Sequence, residues 1–530
     1  MQLQQFKGYG SRILCACMVL VLGGLIGRAD SAYETKVAAS AGENQIDELV
    51  FARLRALSIA PANICSDAVF VRRVYLDTTG TLPTGVEARD FILDRNPSKR
   101  EVLIDRLLRS DEFADYWAMK WGDLLRIKAE FPINLWPNAA QSYHRWVHDA
   151  IRDNKSYDSF ARAMLTASGS NFEDPPVNFY RAMQNRSPSG IAQTVALTFL
   201  GERAEKWPAN ELAKFAVFFA NVSYKSTAEW KEEIVYFNPA ATNVGALNGA
   251  PLDAVFPDGK TVKLSPDQDP RVVFAGWLVK DPQFARNQVN RTWDWLLGHG
   301  IVQEPDDFRV DNPPGNPPLL EFLEKHFVSS GYDFKDLVRL ILNSHTYQLA
   351  SIPAGNNAEA VANFGCYPLR RLDAEVLIDA LDQITGTNES YSSAIPEPYT
   401  FIPDNLRSIA LPDGSISSSF LDLFGRPPRD TGLESERNNR ITAAQKLYLL
   451  NSSQMQRKIE QCRMIQFQSS SNRPPADIAM GIYLGVLSRF PTPGEVAIVQ
   501  DYFKSGISKR QAVVDITWAL INSTEFLYRH

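Results

Sequence analysis

"YLDTTGTLPTGVE" (residues 75–87) and "YLGVLSRFPTPGE" (residues 483–495) stand far apart in a chain of 530 residues, yet they share Tyr-Leu, Pro-Thr and Glu at identical spacing. The correspondence continues outward. Ser98-Lys99-Arg100 with Asp105 recurs as Ser508-Lys509-Arg510 with Asp515, and Ser110-Asp111-Glu112-Phe113 recurs as Ser523-Thr524-Glu525-Phe526. An internal repeat on this scale marks a repeated supersecondary unit. Thr84-x-x-Glu87, Ser98-x-x-Glu101, Thr492-x-x-Glu495 and Ser508-x-x-Gln511 each read as a capping box, in which a hydroxyl and a carboxylate or amide satisfy the free amides of a helix start. Val102, Leu103, Leu107 and Leu108, and likewise Val513, Val514, Ala519 and Leu520, then fall on one helical face. Each copy is therefore expected to be a pair of capped amphipathic helices. Caps account for Glu87 and Glu495 without assigning them catalysis.

The helical period governs most of the remaining chain, for example at Ile46, Leu49, Val50, Leu54 and Leu57, and at Leu337, Val338, Leu340, Ile341 and Leu342. The exception is 232–270, where "EEIVYFNP", "DAVFPDG" and "KTVKL" are short β-like runs with Asn-Pro and Pro-Asp-Gly turn signals. The expected fold is mainly α: two helical domains, 30–231 and 271–530, joined by a small β segment, with a helix-pair repeat near both ends. Residues 387–418, rich in Pro, Ser and Asn, are expected to form a long surface loop.

Composition is that of a folded globular chain, with 45% apolar and 22% charged residues. Lys7 and Arg12 precede the apolar run Ile13 to Ile26, and small residues follow around Gly27, Ala29 and Ala32, so residues 1–29 read as a secretory signal peptide. An extracytoplasmic location follows, periplasmic or secreted, with no membrane span after cleavage. Cleavage would remove Lys7, Arg12 and Arg28 and no acid, taking the formal charge from -6 to -9 (three positive charges lost). This acidic balance gives no basis for a nucleic-acid partner. Cys65, Cys366 and Cys462 would remain; one pair of them could oxidise. No Cys-x-x-Cys remains among them, so neither a thiol zinc site nor covalent haem attachment is encoded, and no cofactor is expected.

Chemistry-bearing clusters are few. His144 and His148 share a helix face at i, i+4 but lack a third ligand, so a solvated face is expected rather than a metal site. No Gly-x-Ser-x-Gly elbow or Gly-rich phosphate loop is present. Asp306, Asp307, Asp311 and Asn312 cluster beside a proline-rich turn whose spacing matches no calcium loop, and a solvated turn is expected there. In "FGRPPRDTGLESERNNR" (residues 424–440), Arg426, Arg429, Arg437 and Arg440 mix with Asp430, Glu434 and Glu436. Two readings stay open: a salt-bridged loop fixing the entry of the next helix, or a pocket for an anionic or hydroxyl-rich ligand. Trp207, Trp230, Trp277, Trp293 and Trp295 could add stacking faces for sugars.

The stretches "FVRRVYLDTTGTLPT", "KREVLIDRLLRSDEFADYW", "FARNQVNRTWDWLLGHGIVQEPDDFRVDNPP", "YDFKDLVRLILNSHTYQLAS", "RRLDAEVLIDAL", "FGRPPRD" and "WALINSTEF" resemble the paired PSCyt and PSD domains of planctomycete-type secreted proteins, the domain-of-unknown-function families fifteen-forty-nine and fifteen-fifty-three. That resemblance covers nearly the whole chain after the signal. It implies an exported helical protein, of a kind often fused to cytochrome c modules and encoded near sulfatase-like and polysaccharide-degrading genes, and it brings no established reaction. Many relatives carry Cys-x-x-Cys-His after the "FLG" that ends here at Gly201, where this chain has Arg203, Ala204, Glu205, Lys206, Trp207 and Pro208. Relatives also tend to carry cysteines where this chain has Leu433 and Ser435. Both departures point away from redox chemistry, and 201–208 is expected to be a helix-to-helix turn broken by Pro208.

The first expectation for function is a non-catalytic scaffold or binding protein with a carbohydrate or cell-surface protein partner. An extracytoplasmic hydrolase or lyase built from the 424–440 loop and the 306–312 turn is the alternative; an accessory electron-transfer protein that has lost its haem site is the third. The second requires those two segments to line one cleft.

Overall fold

The computed structural model describes residues 32–38, 44–241, 246–247, 250–251, 253–265, 267–355 and 357–530. The segment read as a signal peptide lies outside them. The described chain is mainly α-helical, with short strands in two- and three-stranded sheets. Buried apolar side chains form one contiguous cluster running from Ile46 to Phe526, so apolar packing crosses both boundaries expected from sequence.

The repeat copies are helices Asp67–Thr78 and Gly85–Leu93 near one end, and Pro475–Leu487 and Pro493–Phe503 near the other. They pack on each other: the Cα of Gly85 comes so close to the partner helix that a Cβ there would lie 3.4 Å from the Gly485 nitrogen. Capping boxes form at Thr84–Glu87 and Thr492–Glu495, as their spacing requires. The other two differ from expectation. Ser98 makes no cap hydrogen bond: its φ of -92° and ψ of 15° lie outside the extended backbone of the formed caps, and its amide, which a capping box would give to Glu101, donates to Asn96 Oδ1. Ser508 accepts the Gln511 amide, but the Gln511 side chain donates to Asp515 rather than reaching back. Val102 is also outside the apolar face: it is 58% exposed, whereas Leu103 and Leu107 are buried.

Arginines staple the two ends together. Arg72 donates to the carbonyls of Val486 (3.0 Å) and Phe526 (2.9 Å), and Arg73 to those of Tyr347 (2.6 Å), Leu349 (2.9 Å) and His530 (2.9 Å). A planar, always-charged guanidinium can serve several buried carbonyls at once. Arg370–Arg371 and Tyr528–Arg529 add a short antiparallel ladder.

The β region is a three-stranded antiparallel sheet in the order Gly169–Ser170, Glu233–Phe237, Val222–Ser226, followed by hairpin Ala254–Val255 with Thr261–Val262. The sheet thus starts ahead of residue 232 and recruits residues from between helices. Its hairpin pairs Ser226 with Glu233, which leaves Trp230 and Lys231 at the tip. A second irregular loop ends at Trp136, whose φ of 74° and ψ of 148° lie in a region that side chains other than glycine avoid, at a cost of roughly 1–3 kcal/mol.

Residues 387–418 are not simply a surface loop. Ile409, Leu411 and Ile416 are buried, and the buried Asp379 carboxylate accepts the amides of Ser408 (2.7 Å) and Ile409 (3.1 Å). His144 is likewise buried rather than solvated; burial, with Arg429 nearby, pushes its pKa down to about 3. His148 instead pairs with Asp115 (3.4 Å) and Asp149 (3.3 Å), so the two rings share no ligand position. Cys65, Cys366 and Cys462 are buried free thiols. No described helix is long and apolar enough to cross a membrane.

Candidate functional site

The turn at 196–208 organises the site. Residues Ala196–Leu200 form one π-helical turn closed by Gly201 in the left-handed region (φ 66°), and Pro208 then caps helix Ala209–Ala216. A Cβ at Gly201 would sit 2.5 Å from Asn287 Oδ1, so only glycine fits. Carbonyls freed by the π turn are taken by helix Pro282–Leu297, which presents Gln283, Asn287 and Arg291 at i, i+4 and i+8 on one face. Gln283 Nε2 donates to Leu200 O (2.7 Å), Asn287 Nδ2 to Thr198 O (3.0 Å) and Arg291 Nη2 to Leu197 O (2.7 Å).

Arg291 carries the connection onward. It is fully buried and pairs with Asp306 at 2.6 Å, and the other oxygen of Asp306 accepts the Glu434 backbone amide at 2.6 Å. The acidic turn and the arginine-rich loop are therefore joined, as a shared cleft requires. The turn is solvated only in part: Asp306 and Asp307 are buried, whereas Arg309, Val310 and Asp311 are exposed. Asp307 pairs with Arg309 (3.1 Å) and Lys206 (3.7 Å), Asp311 pairs with Arg309 (3.1 Å), and Asn312 donates to Gln303 O (2.7 Å) and Asp307 O (2.9 Å). These three residues brace the turn from the side and line no part of the cleft described below.

Most of the loop's charge is consumed beneath it. Arg429, buried, pairs with Asp123 (2.8 Å); Arg437 pairs with Asp123 (2.6 Å) and Glu375 (2.7 Å); Arg426, also buried, lies 3.7 Å from Glu375. Asp430 pairs outward with Lys128 (2.7 Å), and Glu436 folds back to accept the amides of Asp430 and Thr431 (both 3.1 Å). Arg440 is exposed. Burial alone would raise the Asp123 pKa, but Arg437 and Arg429 outweigh it and hold the group below the usual carboxylate range. Asp373 is held well below that range by Lys120, Arg529 and Arg437 in the same way.

Above this network lies a polar cavity of about 250 Å³. Lys120, Arg370, Arg437 and Arg529 contribute its cations, and Asp294, Glu304, Asp373 and Glu434 its acids. The cations already have partners: Lys120 with Asp373 (3.3 Å), Arg529 with Asp77 (3.1 Å) and Asp373 (3.2 Å), Arg370 with Asp77 (3.3 Å). Asp77 is completed by the hydroxyls of Tyr347 (2.9 Å) and Tyr367 (2.7 Å). Asp294 and Glu434, in contrast, make no ion pair within 4.0 Å among the described residues, and Glu434 faces the Trp295 indole. Desolvation, followed by the charge of Glu434, pushes the Asp294 pKa up; desolvation also raises Glu434, with Asp306 adding to it.

Helix Pro282–Leu297 sets Asp294 in its last turn, and Gly298 (φ 83°) ends it where a Cβ would fall 2.5 Å from Arg370 Cδ. Arg370 caps that end through Trp295 O and Leu296 O, both at 2.8 Å. A larger groove of about 640 Å³ lies between Tyr75–Glu87 and Asp379–Arg407; of its carboxylates, Glu87 caps Thr84, Asp379 holds the 408–409 amides and Asp382 pairs with Lys458, while Glu112 is exposed. The described residues hold no cluster of three His, Cys, Asp or Glu side chains arranged for a metal.

Of the predicted site residues, Glu434 and Arg437 reach the cavity, and Asp306 anchors it. Lys120, Asp294, Arg370, Asp373 and Arg529 were not singled out from sequence. Two of them carried a signal: Lys120 interrupts the apolar run Tyr116–Leu125, and Asp294 stands at a helix C-terminus, where the dipole disfavours acids. Trp293 and Trp295 are buried in the core, and Trp277 packs on Phe256; of the five tryptophans expected to offer stacking faces, Trp230 is the strongly exposed one, at 64%.

Two family models match. Residues 45–222 match PSCyt2, a protein of unknown function (DUF1549), and residues 270–503 match PSD1, a protein of unknown function (DUF1553). The chain carries the paired PSCyt2 and PSD1 domains. No curated protein and no solved structure matches it. Seen through this pairing, the cavity is a joint product: Lys120 comes from the PSCyt2 segment, while Asp294, Arg370, Asp373, Glu434 and Arg437 come from PSD1, and Arg529 lies beyond both.

Proposed function

We propose that this PSCyt2–PSD1 protein is an exported binding protein whose cavity takes a hydroxyl-rich ligand, a sugar unit from a polysaccharide. The carrying observation is the split between the cavity's charges: its four cations are neutralised by buried acids, while Asp294 and Glu434 have no cationic partner. Satisfied guanidinium groups have little left for an anion, so the anionic reading of the loop gives way to the hydroxyl-rich one. Carboxyl groups without an ion-pair partner in a desolvated cleft hydrogen-bond ligand hydroxyls, Asp294 mainly in its protonated form, which donates its O–H and accepts through its other oxygen. The test is isothermal titration of the purified protein with mono- and oligosaccharides. Saturable binding that weakens about tenfold, roughly 1.4 kcal/mol, in Asp294→Asn and Glu434→Gln supports the proposal. Absence of binding to any sugar overturns it. Export is tested by sequencing the N-terminus of the protein recovered outside the cytoplasm.

A second reading is favoured by the same pair. Two neighbouring carboxyl groups of raised pKa beside the Lys120 ammonium suit general acid–base catalysis, which makes a hydrolase or lyase the alternative. Turnover of a glycan by the wild type, abolished in Glu434→Gln, would select this reading over simple binding.

A further inference from the structure

We propose a second carbohydrate-binding site, separate from the cavity: an aromatic platform built by Trp136, Trp230 and Tyr399 that stacks the pyranose rings of a polysaccharide chain. Three loops distant in sequence bring the rings together. Trp136 ends the 128–136 loop, Trp230 is at the hairpin tip, and Tyr399 belongs to the 387–407 segment; the Trp136 ring centroid lies 6.5 Å from that of Trp230 and 5.2 Å from that of Tyr399. The rings meet edge to face, at 86° and 63°, so none lies flat against another. Trp230 is 64% exposed and Tyr399 47%, and the same loops expose Phe131 and Phe401. Single exposed apolar residues need no explanation, but a contiguous aromatic group does.

The loops are held in place for this presentation. The Glu130 carboxylate accepts the Ala394 amide (3.2 Å), and Asn171 Nδ2 donates to Lys231 O (3.3 Å), pinning the hairpin tip. Trp136 and Lys231 both adopt positive φ, 74° and 65°, which bulky side chains avoid unless the surroundings hold them there. Lys231 Nζ sits 5.3 Å from each of the two indole centroids and has no carboxylate partner among the described residues. The ammonium lies over one face of each indole, so a sugar would stack on the free face of the exposed Trp230 or on Tyr399, with the Lys231 N–H donors next to it for ring hydroxyls or a uronate carboxylate. The occupant is a glycan because the exposed rings offer apolar faces and the Lys231 ammonium, without a carboxylate partner among the described residues, offers N–H donors next to them, the two kinds of contact that a pyranose with its apolar face and its hydroxyls can use together.

Affinity electrophoresis of the full chain in native gels containing soluble β-glucan, xylan or alginate tests the proposal. Wild type should be retarded by at least one polymer. Trp230→Ala and Tyr399→Ala should each weaken retardation about tenfold, with Trp230→Phe restoring most of it. Lys231→Met should weaken retardation by alginate more than by β-glucan. Circular dichroism keeps folding separate from binding, because Trp230 and Tyr399 are surface residues. No retardation of the wild type by any of the three polymers overturns the platform, as does unchanged retardation of the Trp230→Ala/Tyr399→Ala double variant. Loss of retardation in Asp294→Asn and Glu434→Gln, with retention in the Trp230→Ala/Tyr399→Ala double variant, would assign polymer binding to the cavity and overturn the second site.

Discussion

Asp123 and Asp294 are both acids near arginine- or lysine-bearing walls, and they behave in opposite ways. Asp123 accepts two guanidinium groups and is held ionised below its usual range; Asp294 makes no ion pair among the described residues and is pushed up toward the protonated form. Folding requires that buried charge be neutralised. An acid that the fold leaves without an ion-pair partner, at the wall of a cavity, is where a ligand can supply what is missing. The contrast separates the part of the 424–440 loop that builds the protein from the part that faces a partner.

The strongest way to break the contrast is Asp123→Ala, which leaves Arg429 and Arg437 without their shared acid. Stability should fall by about 3–5 kcal/mol in chemical denaturation, and a loss below 1 kcal/mol would mean that the network is not the structural half of the pair. The pH dependence sharpens it. Because the folded pKa values of Asp123 and Asp373 lie below the unfolded value of about 3.9, their contribution is present above that pH and is lost as pH falls through the folded values. Asp294 works the other way: its folded pKa, raised to about 8, favours folding when protonated, so stability drains as pH climbs from about 4 toward that value. Asp294→Asn should therefore raise stability at pH 8 by about 1 kcal/mol, discounted for water reaching the cavity, and leave the acid limb unchanged in melting curves across pH.

The same distinction between partnered and unpartnered groups holds at helix starts. Thr84→Ala removes a formed capping box and should cost about 1 kcal/mol, whereas Ser98→Ala removes a hydroxyl that caps nothing and should cost no more than a few tenths of a kcal/mol in the same measurement. Val102→Ser, on the exposed side of that helix, should be neutral within about 0.5 kcal/mol.

The helical period and two capping boxes were legible because they depend on residues three or four apart, and the repeat because its two copies share residue identities at the same spacing. Ser98 misled because an Asn two positions earlier took its amide first. The joining of the 306–312 turn to the 424–440 loop was legible only as a question, since Asp306 and Glu434 are 128 residues apart and nothing local ties them. Arg529 went unread for the same reason, being ordinary within its strand; Lys120 and Asp294 each carried a local oddity, a cation in an apolar stretch and an acid at a helix end, whose meaning came from neighbours that the fold delivers. Trp136 shows a further limit. Its place in the aromatic platform depends on a backbone angle that no side-chain pattern announces.

Arg72 and Arg73 draw their hydrogen-bond acceptors from Tyr347, Leu349, Val486, Phe526 and His530. Burial of helix Asp67–Thr78 is thereby tied to segments around 347–349, 486 and 526–530, and cutting away residues 526–530 would take one acceptor from each arginine while leaving Arg72 with Val486 and Arg73 with Tyr347 and Leu349.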